Sequence, residues 1–188
     1  MADRDQTSSL VEAFPAELRP GVEAVVAIIP VADIPRCTDD IGPVVLNGQP
    51  LHIPFRIYNP EPDASLVERL SSTEQQILAC LYTRHHDGHV RERALGRILD
   101  SNQAWAAPFI VQLLGEYVLE IVEIVYAHVS HAQQESLTTF GRENPEFMQL
   151  TAQRAASYWD CYCRAQFRWL DDYPGIRALR LLRPDPGR

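Results

Sequence analysis

Apolar positions change their rhythm near residue 64. Before it, short apolar runs alternate with prolines; after it, apolar residues recur at helical intervals over long stretches. Ser9 to Leu18 reads as one short helix ended by Arg19-Pro20-Gly21. Val22 to Ile29 is a short apolar run in which periodicity leaves strand and helix equally open. Val44-Val45-Leu46, Asn47-Gly48 and the alternating Leu51, Ile53, Phe55 and Ile57 predict a β-hairpin with a two-residue turn. Pro50 and Pro54 lack amide donors, which places that strand at a sheet edge. Tyr58-Asn59-Pro60-Glu61-Pro62-Asp63 is a proline-stiffened connector.

Four helices and a short last one follow. Ser71-Ser72-Thr73-Glu74 is a capping box opening a helix that buries Ile77, Leu78, Leu81 and Tyr82 and stops at Gly88. The second runs from about His89 to Leu99. The third, from about Asn102 to Ser130, is apolar around most of its circumference, with a narrow stripe of Gln112, Glu116, Glu120 and Glu123. The fourth is capped by Asn144 with Pro145 at its first position and runs to about Asp171. It points Phe147, Leu150, Tyr158, Cys161, Tyr162, Ala165 and Trp169 inward. Asp172-Tyr173-Pro174-Gly175 breaks it, and Ile176 to Leu182 forms a last short helix. The expected fold is mainly α, an irregular multi-helix bundle or a set of helical hairpins, with a small N-terminal β-hairpin. The organisation is an acidic, proline-rich segment over 1–63 and a helical domain over 64–188.

Composition narrows the functional classes. All 17 basic residues are arginine, so a Walker-A phosphate loop and Schiff-base chemistry, which need lysine, are excluded. Codon bias in a GC-rich, bacterial genome is the expected reason for the missing lysine. The net charge is −8, of which −7 falls in residues 1–75, and this opposes binding to nucleic acid or an anionic membrane. Only Ile176 to Arg188 is locally basic. The polar N-terminus carries no signal-peptide pattern. Phe109 to Val129 is long enough to span a bilayer, but three glutamates, each costing roughly 2.5–3.5 kcal/mol near a membrane centre, rule insertion out. Cys37, Cys80, Cys161 and Cys163 form no C-x-x-C pair, consistent with free thiols in a reducing cytoplasm.

Candidate chemistry concentrates between Arg84 and Arg93. His86, Asp87 and His89, joined by Glu116 or Glu120, could supply ligands for one divalent metal ion. The competing reading is a solvated turn in which Asp87 caps the second helix. A di-metal bundle site built on Glu116, Glu120, Glu123 and His131 lacks the E-x-x-H pair it needs. The arginine-bearing second helix also permits helix-turn-helix DNA binding, against the charge balance. No nucleophile elbow, dinucleotide fingerprint or H-E-x-x-H sequence occurs.

Asp87-Gly88-His89-Val90-Arg91 followed by Ala94-Leu95 resembles the start of the second helix of a HEAT-type repeat, the likeness extending over about residues 74–123. A fainter echo at Asp172 to Leu179 places Arg177 86 residues after Arg91, twice 43 and within the family's period. No copy lies midway, so the resemblance implies a HEAT-like helical hairpin rather than an array. It implies that Asp87, Gly88 and Arg91 stabilise the inter-helix turn. The function expected is a non-enzymatic cytoplasmic protein-protein interaction module without a cofactor. The partner is another protein, with self-association left open. Candidate contact residues are Ile53 and Phe55 on the hairpin edge and Arg84, Arg91 and Arg93 near the turn. The alternatives are a metal-dependent enzyme at the histidine turn and a nucleic-acid-binding protein.

Overall fold

The computed structural model describes residues 10–32, 40–99, 101, 103–131 and 135–183. The expected boundaries at Ser9 and Asn102, Cys37, and the tail beyond Arg183 lie outside these residues. The architecture is mainly helical with one small antiparallel sheet. It clusters into two compact units, Met1–Ser101 and Asn102–Arg188. The composition change near residue 64 falls inside the first.

The first unit opens with α1 (Arg19–Ile28), which settles the ambiguous run as helix. Pro20 starts this helix instead of ending an earlier one, because a missing amide costs nothing in the first turn. Val22, Val25 and Val26 form its buried stripe. The hairpin forms around the predicted turn, β1 (Asp40–Leu46) and β2 (Gln49–Pro54) pairing antiparallel with Val44 opposite Leu51, but β2 stops at Pro54 and does not run on through Phe55 and Ile57. Asn47 and Gly48 both have positive φ, 51° and 79°, as a type I′ turn demands. A single turn, α2 (Ala64–Val67), leads to α3 (Ser72–Tyr82) and α4 (Gly88–Ile98). The capping box is present in both directions: Glu74 N donates to Ser71 Oγ at 3.3 Å, and Ser71 N to Glu74 Oε2 at 2.7 Å. The helix α3 packs against both α1 and α4.

The second unit departs further from the expected pattern. The long third helix is two helices, α5 (Ala107–Gln112) and α6 (Leu119–His131), separated by a 3-10 turn at Leu113–Gly115 and an extended Glu116. Gly115 makes the break: its Cα lies so close to α8 (Pro145–Tyr158) that a Cβ would sit 3.2 Å from Thr151 Cγ2 and 3.3 Å from Thr151 O. The four-residue polar stripe therefore does not exist as one face. Gln112 and Glu116 are buried at the break, while Glu120 and Glu123 are exposed on α6. Among the described residues no helix is long and apolar enough to cross a membrane.

The helices α7 (Glu135–Glu143) and α8 are joined through Asn144. Asn144 does not cap α8 with its side chain; its amide donates back to Phe140 O at 2.8 Å and closes α7 instead. The fourth helix ends at Tyr158 and continues as a π-turn, Trp159–Cys163. The looser π-turn changes the angular register, so Cys161 and Tyr162 face solvent and Cys163 faces inward; the chain then leaves the helix, and Ala165 and Trp169 are exposed beyond it. The expected inward face of Cys161, Tyr162, Ala165 and Trp169 is thereby corrected. The last helix, α9 (Pro174–Leu181), packs on α6 and α8.

Candidate functional site

Three local devices fix the α3–α4 hairpin. Asp87 Oδ1 accepts from His89 N at 2.8 Å and caps α4. Arg91, fully buried, reaches back from α4 so that Nη1 donates to the carbonyls of both His85 and His86, at 2.8 and 2.9 Å. His85 Nδ1 accepts from Asp87 N at 3.1 Å. The guanidinium thus serves two carbonyls of the turn between α3 and α4. Ile57 joins this turn as a parallel bridge: its amide donates to Arg84 O and its carbonyl accepts from His86 N.

The connector is pinned along the hairpin as a strap. Tyr82 Oη donates to Pro60 O at 2.5 Å, and Asn59 Nδ2 donates to Pro30 O at 3.0 Å. Arg93 Nη2 donates to both carboxylate oxygens of Glu61, at 2.6 and 3.0 Å. Gln75 Nε2 donates to Leu70 O at 3.0 Å. Between strap, α3 and α4 lies an open groove of about 610 Å³. Leu78, Ala79, Tyr82, Val90 and Ala94 contribute apolar surface to it, and Glu61, Glu68, Arg93 and Arg97 contribute charge. That volume is typical of ligand clefts. Its polar lining is made of carboxylates, guanidiniums, amides and hydroxyls.

The residues singled out from sequence divide by burial. Ile53 is fully buried under the hairpin, and Arg84 is fully buried with Nη2 donating to Phe55 O at 3.2 Å. Arg91 is equally enclosed. These three hold the unit together, which corrects their assignment to a contact surface. Phe55 is half-buried beneath the Arg56 guanidinium. Arg93 alone of the five is exposed, and it stands in the groove. The strand edge is also partly occupied, since His52 N donates to Glu12 O at 2.9 Å.

The proposed metal ligands are not brought together. His86, Asp87 and His89 lie at the turn, with the His86 ring stacked on Tyr58 at 5.0 Å and Asp87 engaged by the His89 amide. Glu116 and Glu120 belong to the second unit. Among the described residues no group of three or more histidine, cysteine, aspartate or glutamate side chains is placed to hold a metal ion.

Burial pushes the His85 imidazole below its ordinary value, and the neighbouring His86 adds to this; Asp87, Glu61 and a hydrogen bond to the Asn59 backbone oppose it. The unfolded chain therefore binds more protons than the folded one just below the ordinary histidine range. His85 contributes its full stability above about pH 6.5 and loses it as pH falls through the lower folded value. Thermal melts should show Tm dropping between pH 7.5 and 5.5. His85→Asn, which keeps an acceptor for the Asp87 amide but cannot titrate, should flatten that slope. An unchanged slope in the variant would assign the acid sensitivity elsewhere.

Sequence reasoning missed the groove because its walls are non-local. The second unit carries another unexpected feature, an exposed aromatic surface. Tyr117, Tyr158 and Tyr162 form a ladder with ring centroids 6.0 and 6.2 Å apart, and the Arg168 guanidinium lies over Trp169 at 5.2 Å. Cys163 nearby is buried, which raises its thiol above the ordinary range. Comparison with protein-family models, with curated proteins and with solved structures finds no match to this chain.

Proposed function

We propose that this chain is a cytoplasmic, non-enzymatic protein-interaction module whose first unit takes an extended peptide segment of another protein. The observation that carries the reading is the strapped α3–α4 groove, about 610 Å³, partly open and mixed in polarity. Apolar floor with a charged rim is the usual division of labour in recognition: the floor supplies burial and the rim supplies register. The fixed turn at Asp87 and Arg91 supports it further, because a wall that does not reorganise costs less on binding. The cytoplasmic setting rests on the four unpatterned cysteines.

The test is a peptide-display selection on the immobilised full chain, followed by fluorescence anisotropy of the selected synthetic peptides. The expected affinities are about micromolar. Val90 is partly exposed in the groove, so Val90→Trp fills the cleft without entering the core. It should weaken binding by about tenfold or more, with the melting temperature retained. Peptides that bind the variant as well as the parent would refute the groove as the site.

A further inference from the structure

We infer that the segment taken by the groove is acidic, and that Glu61 is an internal competitor for it. The inference rests on the reading of the groove as a peptide site and adds what that peptide must carry. Arg93 and Arg97 stand one turn apart on α4 and both line the groove. Residues at this spacing are surface neighbours on a helix, so both arginines stand on the α4 side of the groove. Their occupancy differs. Arg93 already holds a carboxylate, that of Glu61, which is supplied by the strap 32 residues earlier in the chain. Arg97 has no hydrogen-bond or ion-pair partner among the described residues.

The Glu61 carboxylate therefore marks where an acidic side chain sits, and Arg97 offers a second place for one. The pair it makes is weak. Its side chains are 59% and 44% exposed, and an ion pair that wet shifts an equilibrium by about fivefold or less. A ligand carboxylate can displace Glu61 at that modest cost and span both arginines. Glu68, which follows α2, also lines the groove, and its carboxylate has no partner among the described residues. It repels a second acid on that side, so the ligand's acid is directed to the α4 wall. The chain's own net charge of −8 disfavours long-range attraction of an acidic partner. Recognition then depends on the local arginine pair at contact distance.

Two substitutions should move affinity in opposite directions, which a general loss of structure cannot do. The probes are the display-selected peptides, measured on the full chain at low and moderate salt. Arg97→Glu should weaken them by about tenfold or more. Glu61→Gln should tighten them by about two- to fivefold, because it removes the competitor while leaving the strap in place. Selected peptides should be enriched in aspartate or glutamate, and added salt should weaken their binding. Peptides lost on Val90→Trp but indifferent to Arg97→Glu, or rich in arginine and lysine, would overturn the acidic assignment and leave the groove reading standing. Peptides indifferent to Val90→Trp would overturn both.

Discussion

Arg91→Met is expected to destabilise the first unit by about 2–4 kcal/mol, the cost of leaving the His85 and His86 carbonyls without their donor. The methionine keeps the aliphatic stem but abandons the His85 and His86 carbonyls, now held at 2.8 and 2.9 Å. The His85 carbonyl is buried and the His86 bond partly so, and a buried carbonyl without a donor costs about 1–3 kcal/mol. The loss should be local at first. Native-state hydrogen exchange should show protection falling at the His86 amide, bonded to Ile57 O, and through the first turn of α4. Peptide binding should fall with it, since this turn holds the two groove helices together. A variant within about 1 kcal/mol of the parent would contradict the role given to the guanidinium.

The second large effect belongs to the other unit. Gly175→Ala would place a methyl 2.9 Å from Tyr173 Cε1, 3.0 Å from Leu114 O and 3.2 Å from Val122 Cγ1. The Leu114 contact is backbone and Tyr173 is fully buried, so neither yields cheaply. α9 would have to lift from the Leu113–Gly115 turn and from α6, at about 1–3 kcal/mol by analogy with overpacked cores. All three tryptophans (Trp105, Trp159 and Trp169) lie in this unit, so their emission reports its unfolding. The urea midpoint read by tryptophan fluorescence should shift to lower concentration. An unshifted midpoint would mean that α9 is not packed as closely as described.

What the sequence made legible was local. The capping box at Ser71 and Glu74, the Asn47-Gly48 turn and the Asp87 cap each depend on residues within three positions of one another. Such pairings depend little on the rest of the fold. The errors came where tertiary packing overrode a local pattern. Gly115 ends an apolar run that looks helical throughout, because its neighbour is Thr151, 36 positions away. The π-turn at Trp159–Cys163 turned an expected inward face outward. Arg84 and Arg91 read as surface residues because arginine is seldom fully buried. Pro20 was open to a better reading, since Val22, Val25 and Val26 already carried helical spacing. The groove could not have been found this way: Glu61 and Arg93 meet across 32 residues, and neither has a local signature.

The central claim is that the first unit binds a peptide between α3, α4 and the strap. Backbone amide chemical-shift mapping of the ¹⁵N-labelled chain, titrated with a display-selected peptide, tests it most directly. The account predicts that the largest shifts fall at Val67, Gln75, Ala79, Tyr82, Val90 and Ala94, which line the groove. Shifts gathered instead at Tyr117, Tyr162 and Trp169, with the groove amides unmoved, would contradict it and transfer the binding function to the exposed aromatic surface of the second unit.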